Sequence, residues 1–298
     1  MSLPPRPVAS SAAPPATSIA QVLDALARET LVAFGEADGG ASPELLAPEM
    51  ALRPGTWNGR AVSLATTIHR SAHRELRMAS IVGAGDSICS LTVLVLPRGV
   101  DGAVFAADLV GFGGVARVAI LDVLLPSAED DTVPRSTRTE RLALGPRLGD
   151  ARTALGDCAD AASPEAISQA PFSARVAFLH PRAGREDDFA ERLPATFRAY
   201  RDAVLFGNLD DLRRSNGGND RFSHGPFLRA LGRVKKQSKI VAKLFGESWC
   251  DDYFQHLFLA EPKGPFATAS DCAGSGCAGY GGPSTQGPET DAEVRRGA

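Results

Sequence analysis

Several features are scarce in this chain of 298 residues, and each scarcity excludes a class of protein. The 5 cysteines are scattered and odd in number, which argues against a disulfide framework and predicts free thiols in a reducing compartment. The net charge is −3, so the chain lacks the basic excess of a protein devoted to nucleic acid. No apolar run approaches the roughly 18 residues that cross a membrane. We therefore expect a soluble globular protein.

Motifs for a resident cofactor are also missing. Cys272 and Cys277 form a CxxxxC pair, but no second pair or nearby histidine completes a zinc site. Residues 111–116 and 274–279 match a dinucleotide fingerprint, yet the first run joins two predicted strands and the second lies in a low-complexity tail. The sequence therefore predicts no metal and no bound cofactor.

Composition divides the chain into three parts. Residues 1–17 are rich in Pro, Ala and Ser without an acid, which fits a transit peptide or a disordered N-terminus. Residues 261–298 are rich in Gly, Ser and Pro, and their few apolar side chains predict a disordered tail. One folded domain is expected over residues 18–260. Within it, residues 126–164 are charged and poorly periodic, so we expect a long mobile loop there.

Hydrophobic periodicity inside that domain predicts helices on either side of a block of strands. Helices are expected over residues 18–34, with Ser18 as the cap, over 186–206, and from residues 226 and 247 onwards. Between the helices, β-rich runs separated by short turns predict an antiparallel meander. The runs are 74–82, 87–96, 103–112, 115–125 and 174–180. This order predicts an α/β fold, a three-layer α/β/α sandwich around a central antiparallel sheet.

Asp108 is an acid within an otherwise apolar strand, AVFAADLVGF. Strand alternation places it on one face with Ala106 and Val110. If that face lines a pocket, burial would raise the pKa of the carboxyl and suit it to donate a proton near neutral pH. If the face is solvated, Asp108 is an ordinary residue of an exposed sheet surface.

A series of segments resembles the ferredoxin-dependent bilin reductases. VFAADLV is similar to that family's IFG-x-D-L-V strand, and AILDVLLP is similar to its A-I-L-D-L-x-P strand. KLFGESWCDDYFQHLFL resembles its closing FG-x-x-W-x-x-x-Y…LF helix, and PFSARVAFLHPR its FFS…R strand. The segments follow the family's order within residues 57–259. They are 96–97 (Leu-Pro in place of Tyr/Phe-Pro), 104–110, 119–126, 171–182 and 243–259.

The resemblance implies an enzyme that reduces biliverdin IXα or dihydrobiliverdin to a phytobilin. Electrons would arrive singly from an external [2Fe–2S] ferredoxin, and side chains would supply protons without a bound cofactor. It further implies a monomer that binds neither nucleic acid nor membrane and works in the plastid stroma of an alga or plant, or otherwise in the cytoplasm. Two alternatives stay open, namely an enzyme like red chlorophyll catabolite reductase and a non-catalytic bilin-binding protein.

The resemblance also assigns roles to individual residues. The family's proton-donating aspartate falls on Asp108, which is the expected catalytic residue. Thr92 occupies the place of a family histidine, and we expect it to bind substrate or to be an ordinary strand residue. Ala79 stands where the family has a glutamate.

The penultimate helix of the family carries two further polar positions. Lys236 matches a lysine that pairs with a bilin propionate, and a cation suits a carboxylate. The second proton-donating acid falls on Lys235, so this donor is absent unless the register shifts to bring Asp211 or Asp220 close.

Residues 213–243 are strongly basic on a slightly acidic protein. A local positive surface suits the docking of an acidic ferredoxin by electrostatic steering. Aromatic residues for base stacking are sparse there, which argues against nucleic acid. The expected docking residues are Arg213, Arg214, Arg229, Arg233, Lys239 and Lys243.

Overall fold

The computed structural model describes residues 18–98, 103–124, 144–162, 176–207, 228, 239–260 and 262. Contacts divide the chain into Met1–Lys263 and Gly264–Ala298, and the second unit falls outside these residues. The predictions for residues 1–17 and for nearly all of 261–298 therefore stay predictions. Within the described ranges, no helix combines the length and apolarity needed to cross a bilayer. The same ranges contain no group of His, Cys, Asp and Glu side chains that could hold a metal ion.

Helices and strands alternate along the chain in blocks. In chain order they are α1 Ile19–Ala37, β1 Ser42–Pro43, α2 Pro48–Ala51, β2 Leu52–Trp57, β3 Arg60–Arg70, β4 Arg74–Gly83, β5 Ile88–Pro97, β6 Val104–Phe112, β7 Val115–Leu124, α3 Leu144–Thr153, β8 Ala159–Ala161, β9 Ala177–Pro181, α4 Glu186–Leu205, α5 Lys239–Phe245 and α6 Glu247–Tyr253. Helix α6 continues as a π-helical turn, Phe254–Phe258. Short 3₁₀ turns occupy Ala84–Asp86 and Gly156–Cys158.

The strands form one antiparallel sheet in the order β1-β3-β4-β5-β6-β7-β9-β8, with β2 also paired to β3. Strands β3 to β7 are neighbours both in sequence and in space. Antiparallel pairing follows because short turns can join antiparallel neighbours, whereas parallel neighbours need a long crossover. The predicted meander is confirmed.

One face of the sheet, which we call the closed face, is covered by α1, α3 and α4. Helix α1 begins with a capping box, in which the Ser18 hydroxyl accepts from the Gln21 amide and the Gln21 side chain accepts from the Ser18 amide. From α4, the buried Phe197 ring meets Phe105 of β6 edge to face, with 5.4 Å between ring centroids. Large apolar side chains therefore fill the space between sheet and helices.

The opposite face, which we call the pocket face, carries α5, α6 and the π-helical turn. Helix α5 lies directly against β2 at Gly55, where an added Cβ would collide with the Leu244 carbonyl oxygen and the Phe245 ring. Only glycine allows this approach of two backbones. With helices on both faces, the predicted α/β/α sandwich with an antiparallel sheet is confirmed.

Two details differ from the sequence predictions, and a third prediction lies almost wholly outside the described residues. Strands β2 and β3 precede Arg74, where no strand was predicted, because Pro54 and Gly55 weaken the strand signal of β2. The predicted mobile loop over 126–164 is wrong for its described part, since α3, a 3₁₀ turn and β8 lie there. Of the helix predicted from residue 226, the structure describes only Leu228, which is helical.

Candidate functional site

A single row of residues crosses five strands on the pocket face. The strand register aligns Thr66 of β3, Ala79 of β4, Thr92 of β5, Asp108 of β6 and Ile120 of β7. Side chains aligned in this way point to the same side of a sheet, because the pleat repeats every second residue. The register thus places Thr92 directly between Ala79 and Asp108, three positions that the sequence singled out.

A cavity lies between the sheet and the helices α5 and α6. It covers this row and the adjacent cross-strand row on the same face. Its empty volume is about 630 Å³, including open solvent at its mouth. Its lining is mostly apolar with a few polar groups, which is typical of small-molecule sites. The lining residues are Leu64, Ala79, Ile81, Ile88, Ser90, Thr92, Asp108, Val110, Phe112, Ile240, Val241, Tyr253, Phe254 and Phe258.

Asp108 lies on the floor of the cavity and is half-buried. The Thr92 hydroxyl donates to Asp108 Oδ1 over 2.7 Å, which holds the carboxyl in one orientation. A β-bulge follows at Val110 and Gly111, two residues further along β6. Bulges are frequent beside active sites, where they redirect side chains. Of the two interpretations of Asp108 from the sequence, the structure has the pocket-facing one.

A second polar pair on this face was not found from the sequence. Thr66 Oγ1 and the Tyr253 hydroxyl oxygen lie 2.9 Å apart in a hydrogen bond, and both residues are buried. Burial raises the pKa of Tyr253 well above its usual value, so the phenol stays protonated. In sequence, Thr66 is one of several β-branched residues of a strand, and Tyr253 follows Trp249 at helical spacing. Only the two-residue periodicity of the strand, which places Thr66 on the same face as the apolar Leu64 and Ile68, could have indicated that Thr66 is buried.

A buried ion pair anchors the C-terminal wall of the cavity. Arg77 lies 2.5 Å from the Glu75 carboxylate, and both side chains are almost fully buried. Arg77 Nη1 also donates to the carbonyl oxygens of Phe258 and Ala260, at 2.8 and 2.6 Å. Burial lowers the pKa of Arg77, and the Glu75 charge opposes that effect. These bonds hold the π-helical turn, whose Phe254 and Phe258 line the cavity.

The remaining predicted residues contribute little to the observed geometry. Lys243 is exposed, with Nζ 5.5 Å from the centroid of Trp57, and the Trp57 ring neighbours Phe112 of the cavity wall at 6.3 Å. Lys239 begins α5. The other predicted positions lie beyond the described residues: Arg213, Arg214, Arg229, Arg233, Lys235, Lys236, Asp211 and Asp220.

Comparison with known proteins gives a match in structure alone. No family model and no curated protein sequence matches the chain. Among solved structures, the chain is similar to the crystal structure of phytochromobilin synthase from tomato in complex with biliverdin, with a TM-score of 0.56 and 16% identity. The similarity covers 79% of this chain and 82% of that chain. The two proteins share a fold, which supports the predicted relationship to bilin reductases at the level of architecture.

Proposed function

We propose that this protein reduces a linear tetrapyrrole, biliverdin IXα or dihydrobiliverdin, with electrons from a [2Fe–2S] ferredoxin and with Asp108 as proton donor. The observation that carries the proposal is the Thr92–Asp108 pair on the floor of a largely apolar cavity. A protein of the same fold has been crystallised with biliverdin, which supports a linear tetrapyrrole as the ligand class.

The proposed reaction needs only one proton-donating group from the cavity. Reduction of one carbon–carbon double bond takes two electrons and two protons. Two reduced ferredoxins give one electron each and are oxidised, Asp108 gives one proton and recovers it from water at the cavity mouth, and water supplies the other proton. A positioned general acid contributes about 10²–10⁴-fold to rate. Thr92 is the positioning residue, because its hydroxyl fixes the carboxyl that must meet the bilin.

The walls of the cavity suit a conjugated ligand. Phe112, Phe254 and Phe258 offer aromatic surface, while Ile81 and Val110 are aliphatic. Such walls exclude water, so the few polar groups on the floor decide how the ligand is oriented. Lys236 stays our proposed contact for a propionate, since a cation and a carboxylate form a strong charge-assisted pair.

A basic surface for ferredoxin is part of the proposal. Lys243 is exposed and lies over the Trp57 ring. The Trp57 ring in turn neighbours Phe112, which lines the cavity. A cation at this point would attract an acidic electron carrier to the side where the bilin binds. The further docking residues that we propose are Arg213, Arg214, Arg229, Arg233 and Lys239.

Anaerobic turnover tests the proposal directly. The protein is incubated with biliverdin, reduced ferredoxin and a regenerating system, and absorbance is followed while chromatography identifies the product. We expect Asp108→Asn to keep bilin binding and to lose about 100-fold or more in rate. Asp86→Asn is the matched control, because Asp86 lies in the turn before β5 with a positive φ that asparagine tolerates.

The outcomes separate three cases. A wild-type rate in Asp108→Asn would remove Asp108 from the mechanism. A bilin complex whose spectrum never evolves would indicate a bilin-binding protein or a different tetrapyrrole substrate. Absence of any complex would refute the proposed function altogether.

A further inference from the structure

The Thr66–Tyr253 pair is a second polar point beside the cavity, between β3 and α6, and the proposed proton transfer does not use it. Thr66 stands in the same cross-strand row as Asp108, three strands away. Neighbouring strands lie about 4.8 Å apart, so the two ends of this row are roughly 14 Å apart. Ala79 lies between the two polar pairs, and its methyl group is too small to fill the space above the sheet at that point.

The hydrogen-bonding capacity of the pair is not exhausted by its internal bond. Each hydroxyl has one hydrogen to donate and two lone pairs. The bond between Thr66 and Tyr253 uses one of the two hydrogens. Across the described ranges, neither hydroxyl has another acceptor for the second hydrogen. A buried donor without an acceptor costs about 1–3 kcal/mol, so such groups normally find a partner.

Tyr253 is almost fully buried and contributes to the lining of the cavity, whereas Thr66 does not. A ligand in the cavity is therefore a candidate acceptor for the second hydrogen, reached through Tyr253. When Thr66 donates to the phenol oxygen, the phenol hydrogen is left to point elsewhere. Burial raises the pKa of Tyr253, so the phenol keeps that hydrogen throughout the neutral range.

We propose that the Tyr253 hydroxyl, oriented by Thr66, donates a hydrogen bond to a carbonyl oxygen of the bound ligand and so sets the position of the ligand relative to Asp108. This inference rests on the proposed function, under which the acceptor is a lactam carbonyl of the linear tetrapyrrole. Tyr253 is then a ligand-binding residue and Thr66 its positioning residue.

Titration of purified variants with biliverdin, without ferredoxin, tests the inference apart from catalysis. Tyr253→Phe removes the hydroxyl and keeps the ring, and we expect an affinity about three- to tenfold weaker, as for the loss of one hydrogen bond. The lactam carbonyl stretch of the bound bilin, measured by infrared difference spectroscopy, should rise in frequency. Tyr200→Phe is the matched control, because Tyr200 is equally buried but packs on the closed face.

Two further variants keep the test decisive if Tyr253→Phe folds poorly. Thr66→Val should weaken binding by a smaller factor, and Thr66→Ser, which retains a hydroxyl, should restore it. An unchanged affinity and carbonyl stretch in Tyr253→Phe, or equal effects of Thr66→Val and Thr66→Ser, would overturn the inference while leaving the proposed function intact. A wild-type protein that binds no bilin would instead overturn the proposed function and the inference together.

Discussion

The two faces of the central sheet are built from the same strands yet differ in almost every respect. The closed face is covered by α1, α3 and α4, whereas among the described residues the pocket face is covered by α5, α6 and the π-helical turn. Each strand contributes alternately to both faces, so neighbouring residues such as Leu109 and Asp108 serve different layers.

The difference lies in side-chain size and in polarity. On the closed face, buried aromatic and aliphatic side chains fill the layer between the sheet and the helices. On the pocket face, Ala79, Ser90 and Thr92 are too short to reach the helices, and a cavity results. The comparison indicates that the closed face is a filled hydrophobic layer, whereas the pocket face leaves space for ligand chemistry.

The largest effect that would break this comparison comes from the pocket face. Arg77→Met removes the buried cation from Glu75, which keeps only the partly exposed Arg70 as an ion-pair partner, and frees the carbonyls of Phe258 and Ala260. Breaking a buried ion pair by removing one partner costs about 3–5 kcal/mol. We expect a loss of that size in the free energy of unfolding, measured by urea titration.

Arg28→Met is the control for that experiment. Arg28 pairs with Asp24 at the surface of α1, with both side chains mostly exposed, so little change is expected. Equal losses in the two variants would show that the Arg77 contacts do not hold the wall of the cavity.

A pair of neighbouring substitutions on β6 would sharpen the comparison. Leu109→Ala empties a site on the closed face where the side chain is 1% exposed, and we expect a loss of about 2–5 kcal/mol in unfolding free energy. Val110→Ala trims a half-buried cavity wall and should cost about 1 kcal/mol or less, because the cavity mouth already admits solvent.

Thermal unfolding together with biliverdin titration checks this pair. The expected pattern is a lower melting temperature with normal affinity per folded protein for Leu109→Ala, and a near-normal melting temperature with altered affinity for Val110→Ala. The reverse pattern would contradict the assignment of hydrophobic packing to the closed face and of ligand binding to the pocket face.

The smallest expected effect concerns the contact between α1 and α4 on the closed face. A hydrogen bond from Arg198 holds the pKa of Glu29 below its usual value of 4.5. The resulting stabilisation is present above that value and is lost as the pH falls through the lower pKa of the folded state. Both side chains are about 40% exposed, so the contribution is below about 1 kcal/mol.

Measurement of unfolding free energy against pH tests that contact. Glu29→Gln should be slightly less stable than the unmodified protein at pH 7, and the difference should shrink towards zero as the pH falls below 4. Glu49→Gln, at an exposed position of α2, should show no such trend. A difference that grows in acid would mean that the ion pair is not its source.

Local patterns were sufficient for much of the architecture. Ser18 and Gln21 form the capping box that begins α1. The alternation around Asp108 predicts which neighbours share its face. The pattern failed for α3, whose sequence LGPRLGDART contains two glycines and a proline that normally break helices. In β2 the same kinds of residues concealed a strand.

The sequence by itself determined that helices flank a block of antiparallel strands, and hence the three layers with Asp108 on an inner strand. Only the tertiary structure decided which other polar groups lie near Asp108 on its face of the sheet. The strand register aligned Thr66 with Asp108, and the chain then returned over 187 residues to set Tyr253 against Thr66. Arg77 likewise meets carbonyls 181 and 183 residues away. Hydrophobic periodicity reports on each residue's own segment, whereas hydrogen bonds between distant segments depend on how whole layers pack.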